Sequence, residues 1–247
     1  MQPFLAPEAK ICYTEVKKVM NVQIEPVAKI YTPFTGKFGI PRQSGLVQTA
    51  ATIELEPPYR SPEAVRGIEG FSHLWLLWEF TEAKRGIGAL TVRPPRLGGN
   101  ERVGVFASRS PYRPNGLGLS CVKLLRVDHD APHAPVLHVS GADLLNGTPI
   151  YDIKPYLPFT DCVPEAVGGF AAAHAGEGLQ VAFAVPAADV PEGTLAEIKA
   201  LIAEDPRPHY QSDPTRVYAF EYAGWHVEFT CEDGRAAVTA LTRGEGS

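Results

Sequence analysis

The chain has 247 residues and a formal net charge of -5, with 23 Lys and Arg against 28 Asp and Glu. It is long enough to bury a full core, as one large domain or two smaller ones, and no apolar run approaches the ~20 residues that a membrane span requires. No segment resembles a signal peptide, and Cys12, Cys121, Cys162 and Cys231 lie far apart with no Cys/His pair at metal-ligand spacing, which reads as a reducing, cytoplasmic protein without a structural metal.

In chain order, residues 1–21 read as an N-terminal extension with a short helix around Glu8 to Met20. Val22 to Phe34 reads as a strand interrupted near Pro26, and Gly45 to Leu55 alternates as a second. "SPEAVRGIEGF" has Ser61 as a cap, Pro62 at the first helical position and a short helix after it. "SHLWLLWEF", Ser72 to Phe80, is almost wholly apolar and too short for most helices, so it reads as a strand buried on both faces. Val103–Phe106, Leu117–Val127 and Val136–Val139 follow as strands, with Cys121 expected in the core. Short strands with no helix between most of them point to a closed or nearly closed β-barrel.

The pattern changes after Pro164. "GGFAAAHAGEG" is a small-residue linker, "LQVAFAVP" a strand, and Leu195, Ile198, Leu201 and Ile202 fall at helical spacing before Pro206. Three strands joined by Gly turns close the chain. The fold class is therefore mainly β: a barrel over 22–164, a linker over 165–179, and a small α+β unit over 180–247. No internal repeat is present.

The absence of GxGxxG after a strand, of a P-loop lysine pattern and of a GxSxG elbow argues against a Rossmann site, an NTPase and an α/β-hydrolase. Charge is segregated. Lys84 to Arg126 holds nine basic residues and a single acid, Glu101, whereas Pro164 to Asp205 holds seven acids and a single Lys. A basic segment in an acidic chain suits a surface that meets phosphate or another anion; pairing of these arginines with Asp and Glu elsewhere is the alternative. "PRQ", Pro41 to Gln43, offers an arginine fork and an amide from a glycine-flanked loop. "TVRPPRLGG" presents Arg93 and Arg96 from a rigid connection. In "VGVFASRSPYRPNGLGLS", Pro114-Asn115-Gly116 supplies turn chemistry, but the turn does not explain Arg109, Arg113 and the hydroxyls of Ser108, Ser110 and Tyr112.

Four stretches together, "PRQSGLV", "AVRGIEGFSHLWLL", "TVRPPRLGGNERVGVFASRSPYRPNGLGLS" and "DLLNGTPIYDIKPYLPF", resemble the TsaA-like family, whose TrmO-type members are S-adenosylmethionine-dependent tRNA methyltransferases. The C-terminal "EDPRPHY", "TRVYAFEY" and "HVEF" resemble the second domain of these members. The resemblance runs from Val22 to Thr242 and implies an N-terminal TsaA-like barrel that binds S-adenosylmethionine, a homodimer, and methylation of the N-6 nitrogen of threonylcarbamoyladenosine beside the anticodon of a threonine tRNA. It implies cofactor contacts at Pro41, Arg42, Gln43, Arg109, Leu119 and the turn Ser140, Gly141, Ala142 and Asp143. Thr81 and Glu82 stand where close relatives have His-Gln, so backbone contacts are what carries over there. Arg42 or Arg109 is expected to fork onto the cofactor carboxylate, Asp143 to accept from its ammonium or a ribose hydroxyl, and Leu119 to read the adenine. Arg93, Arg96, Arg113 and Arg207 are the expected RNA contacts, with Arg207 and His209 alternatively pinning the second unit to the barrel. Asp143, Asp152 and Tyr112 are candidates to accept the proton that the target nitrogen loses. A non-catalytic binding module and a small-molecule methyltransferase are the competing readings.

Overall fold

The computed structural model describes residues 23–83, 90–94, 97, 101–174, 176, 178–207 and 213–244. The extension and Cys12, with Lys84, Arg85, Arg96 and His209, lie outside the described residues.

Six antiparallel strands close the barrel: β1 (Ala28–Tyr31), β2 (Ala50–Leu55), β3 (His73–Glu79), β6 (Leu117–Asp128), β7 (Val136–Ser140) and β8 (Thr148–Pro155), in the order β1-β2-β7-β6-β3-β8. Between β3 and β6 a small ribbon pairs β4 (Thr91–Val92) with β5 (Val103–Gly104). Closure gives every barrel strand two neighbours, and alternation sends Ile30, Ile53, Leu74, Leu76, Val122, Leu137, Val139 and Ile150 inward to the core.

Three local expectations change. Residues Ser61 to Phe71 form two 3₁₀ turns, Pro62–Val65 and Ile68–Gly70, instead of one helix; Ser61 Oγ does cap the first by accepting from Glu63 N at 3.3 Å. β3 is not buried on both faces. Leu74, Leu76 and Trp78 face the core, and His73, Trp75, Leu77 and Glu79 are half-buried outside it, because an antiparallel barrel packs one face only. The outer aromatics are met locally: Trp75 Nε1 donates to Asp161 Oδ2 at 2.9 Å, and its ring centroid lies 5.7 Å from that of Tyr156. Asp161 closes the short helix α1 (Pro158–Asp161). Cys121 is accordingly half-buried on this outer face. Finally, the strand expected over Val103–Phe106 ends at Gly104, and Val105–Ala107 turn as a 3₁₀ helix; β8 carries a register irregularity at Leu77/Trp78 that leaves Tyr151 unpaired.

The second unit is a four-stranded sheet, β10 (Tyr218–Tyr222), β11 (Trp225–Glu232), β12 (Arg235–Arg243) and β9 (Gln180–Phe183), with β9 parallel to β12. Helix α2 (Glu192–Ala203) buries Ile198, Leu201 and Ile202 against it. Its core also takes residues from the barrel half of the chain. Phe34 is fully buried there, with its ring 5.5 Å from Tyr222, and Phe38 stacks on Tyr218 and Phe229. Phe34 and Tyr222 form a backbone bridge. Gly39 has φ +95°, and a Cβ there would meet Phe220 Cδ2 at 2.8 Å, so the loop turns back against the sheet only with glycine. The segment after β1 thus wedges into the second core and fixes it beside one end of the barrel.

At that end Trp78 lies across the strand from Gly118. A Cβ at Gly118 would sit 2.3 Å from Trp78 Cε2 and 2.5 Å from Cζ2. Gly118→Ala should therefore displace the indole, break its bond to Ser120, and cost about 1–3 kcal/mol of stability in urea titration; a variant as stable as the wild type would mean the indole is free to move.

Candidate functional site

The site begins at a missing strand contact. β6 pairs with β3 from Leu117 to Lys123, but with β7 only from Lys123 onward. Its first residues therefore lack a β7 neighbour, and a loop takes that place: Cys121 N donates to Ser44 Oγ at 3.0 Å, and Gly45 N to Gly141 O at 2.9 Å. Asp143 also accepts from the Ser44 backbone N–H. Pro41, Arg42 and Gln43 are thereby held over the barrel end.

The segment before β6 is held by its own hydroxyls. Ser108 Oγ donates to Val105 O and accepts from Ser110 N, Ser110 Oγ accepts from Tyr112 N, and Arg113 Nη1 donates to Ser108 O at 3.2 Å. These turns fix Arg109 so that its Nη1 donates to Gln43 Oε1, while Gln43 Nε2 donates to Arg42 O. The serines in this stretch are scaffold; Arg109 and Tyr112 are what the scaffold presents.

A cavity of about 480 Å³ lies between these pieces, within the usual range for small-ligand sites. Pro41, Arg42, Gln43, Thr81, Glu82, Arg109, Leu119 and Asp143 line it. Ser140, Gly141 and Ala142 do not: Ser140 Oγ donates to Gln48 Oε1, Gly141 exchanges backbone bonds with Gly45 and Thr49, and Ala142 is core. They build the turn that aims Asp143. Among the residues assigned to RNA, Arg113 lines the cavity, Arg93 is exposed away from it, and Arg207 forks onto Asp205 at 2.7 and 2.9 Å. Of the three candidate proton acceptors, Asp143 and Tyr112 reach the cavity. Asp152 is opposite Leu77 and pairs with Lys154 at 2.9 Å, so it falls outside.

Several lining residues carry no sequence signal of their own. Trp78 and Phe80, in edge-to-face contact at 4.3 Å, form an aromatic wall, although their stretch reads as core. Glu79 accepts from Tyr151 Oη. Lys37 crosses to Glu82, with Nζ 3.0 Å from its carboxylate and 3.1 Å from its carbonyl; both side chains are more than half exposed, so the pair adds little stability.

Behind the wall runs a relay. Trp78 Nε1 donates to Ser120 Oγ at 2.9 Å, and Ser120 Oγ donates to Asp143 Oδ1 at 2.5 Å. Burial pushes the Asp143 carboxyl above its ordinary range, outweighing the Ser120 bond, the backbone bonds and the charge of Arg109, which lower it. The arrangement is a partly desolvated acid facing a guanidinium across an aromatic-walled cavity. It suits a ligand carrying both an ammonium and a carboxylate.

Comparison with known proteins identifies the family. The model of the tRNA-methyltransferase O N-terminal domain matches residues 29–162, and that of the TrmO C-terminal domain matches residues 179–244. The chain belongs to the TrmO family. The tRNA (adenine(37)-N6)-methyltransferase of Escherichia coli K12 is 39% identical over 232 residues, covering 90% of this chain and 98% of that protein. A Pseudomonas aeruginosa protein named putative S-adenosylmethionine-dependent methyltransferase RcsF is 42% identical over 209 residues, 81% of this chain and 88% of that one. A crystal structure of TrmO from P. aeruginosa superposes with a TM-score of 0.72 at 33% identity, covering 92% of this chain and 99% of that one.

Within this TrmO-family frame, Arg42 has a role the motif does not reveal. Its Nη2 donates to Asp205 O at 2.6 Å and Arg207 O at 2.9 Å, tying the cavity loop to the second unit. Hydrogen bonds from a charged donor contribute roughly 1.5–3 kcal/mol, so Arg42→Ala should lower the melting temperature, whereas the exposed Arg109→Ala should not; calorimetric scans of both variants check this. Asp143 gives a second expectation. Because its folded-state pKa is raised, the folded protein holds the proton more tightly, and stability falls as pH rises from the ordinary carboxylate range through the raised value. Asp143→Asn keeps an acceptor for Ser120 and removes that slope. Urea titrations from about pH 4 to 7 should show the wild type losing ground to the variant as pH rises, and parallel profiles would refute the assignment.

Proposed function

We propose that the protein methylates the N6 nitrogen of adenine 37 in tRNA, with S-adenosylmethionine as methyl donor. The observation that carries this reading is the convergence of Asp143, Arg109 and the Trp78–Phe80 wall on one cavity in a chain of this family. The donor set fits the cofactor. Asp143 would take its ammonium, Arg109 its carboxylate as a charge-assisted pair, and Leu119, whose side chain is exposed at the cavity, would cover the adenine. When bound, the cofactor supplies an electrophilic methyl group on a sulfonium.

The remaining tasks belong to the chain. An exocyclic nitrogen conjugated with a ring or a carbonyl is a weak nucleophile, so orientation carries much of the catalysis. Tyr112 and Arg113 at the cavity would hold the incoming base. We infer that the base is threonylcarbamoyladenine in a threonine tRNA, because its added carboxylate suits a mouth lined by Arg113 and Lys37. With Asp143 turned to the ammonium and Tyr112 holding the base as a neutral phenol, the N6 proton would leave to water at the cavity mouth. The family resemblance further supports a homodimer acting in the cytoplasm.

The test is incubation with labelled methyl donor and tRNA prepared with or without the threonylcarbamoyl group, followed by nucleoside mass analysis. Label should appear on N6 of the modified adenosine alone. Donor binding without label in any tRNA would favour a binding module, and label confined to small molecules a different transferase. Arg109→Ala should weaken donor binding roughly 10- to 100-fold, the scale of a lost charged hydrogen bond, and unchanged affinity would remove Arg109 from the site.

A further inference from the structure

The scaffolded loop before β6 displays two exposed aromatic rings, one at the cavity and one beyond it. Phe106, on the 3₁₀ turn Val105–Ala107, is 78% exposed, and Tyr112 is 60% exposed. Among the described residues neither ring packs against another aromatic. A free aromatic on a mobile loop would mean little. These two sit on a loop pinned by Ser108, Ser110 and the bond from Arg113 Nη1 to Ser108 O, and Val105 N is further tied to Leu90 O at 2.9 Å. Exposed rings on a rigid support pay little entropy when something stacks on them.

Their surroundings specify the occupant. Arg102 and Arg93 are exposed on the adjoining ribbon. A second copy of this chain would bring the same cations to a two-fold contact, where like charges repel. A looped single strand brings phosphates to the arginines and unstacked bases to the rings.

We propose that Phe106 and Tyr112 are stacking platforms for unpaired nucleotides of the substrate loop, Tyr112 beside the target adenine at the cavity mouth and Phe106 for a flanking nucleotide farther along the strand. This rests on the tRNA reading above and adds to it how a looped substrate is held in register. The two rings set position, and the neighbouring arginines supply charge without sequence preference.

The experiment uses the full-length protein and a synthetic anticodon stem-loop, with binding followed by fluorescence anisotropy over a range of salt. Phe106→Ala should weaken RNA binding about tenfold, the scale of one lost base stack, with the slope of log affinity against log salt unchanged. Arg93→Ala should instead reduce that slope by up to about one unit. Phe106→Tyr should bind like the wild type and Phe106→Leu like the alanine variant, since leucine keeps the apolar contact and loses the ring face. Tyr112→Phe should retain RNA affinity that Tyr112→Ala loses. Donor affinity, measured by calorimetry, should be unchanged in the Phe106 series, because Phe106 is not among the cavity-lining residues. Wild-type affinity in Phe106→Ala or Phe106→Leu would overturn the stacking role, as would a halved mass for Phe106→Ala in sedimentation, which would make the ring a contact between copies. A wild type that binds no stem-loop while still binding the methyl donor would overturn the tRNA reading itself, an outcome distinct from these.

Discussion

The site depends on a strand pairing that does not form. In a fully paired six-stranded barrel each strand's backbone groups are taken by its neighbours, and a barrel this small is filled by side chains. Here β6 begins six residues before its register with β7 does. The uncovered N–H of Cys121 is taken by a side chain, Ser44 Oγ, and this substitution brings the Pro41–Gln43 loop to the end of the barrel. The same opening leaves room for Asp143, which a continuous ladder would exclude, and exposes Leu119 at the cavity. The cavity is thus the space vacated by strand pairing and walled by a loop.

A loop that replaces a strand must be held from both ends. On the barrel side it is held by Ser44 and by the Gly45–Gly141 bond. On the other it is held by the second unit: Phe34 is buried in that core, Phe38 packs half-buried against it, and Arg42 reaches the Asp205 and Arg207 carbonyls. Arg207 and Asp205 in turn fix each other, so the acceptors are presented by a rigid turn. The second unit, which looks like an appendage in the sequence, is the support behind the cavity loop. Its full burial of Phe34, contributing about 1.5–3 kcal/mol on removal from water, is a reason for the two units to fold as one.

Much of this was legible in the sequence, and what was not has identifiable causes. Alternation marked β2, and the apolar run marked β3, β6 and β7, because a period of two is a local property. β3's outer face misled because Trp75 and Leu77 are apolar without being core; an aromatic that donates to Asp161 and rests on Tyr156 cannot be told from a packed one by composition. β8 was hidden by two prolines and by the mixed polarity of "TPIYDIKP". At the site, Arg109, Leu119 and Asp143 were found through resemblance and do converge, whereas Ser140, Gly141 and Ala142 only support. The serines of the "SRSPY" stretch and the reach of Arg42 to the second unit were not readable. A side chain's choice between ligand and scaffold is decided by where distant segments lie, and here the deciding partners are more than 160 residues away.

The segregation of charge takes on a structural meaning in the same light. The basic stretch is not one surface. Arg109 and Arg113 turn toward the cavity, where a partly desolvated carboxylate and aromatic walls strengthen each contact. Arg93 and Arg102 remain on the ribbon in water, where a single charge is screened over about 8–10 Å at ordinary ionic strength. The first kind can discriminate between ligands, because an unsatisfied partner inside the cavity is costly. The second kind can raise the encounter rate with a polyanion but carries no selectivity. A protein that must find one nucleotide within a long, uniformly charged molecule needs both, and the loop between β5 and β6 joins them: it is rooted in the ribbon at Val105 and ends at the cavity wall with Leu117.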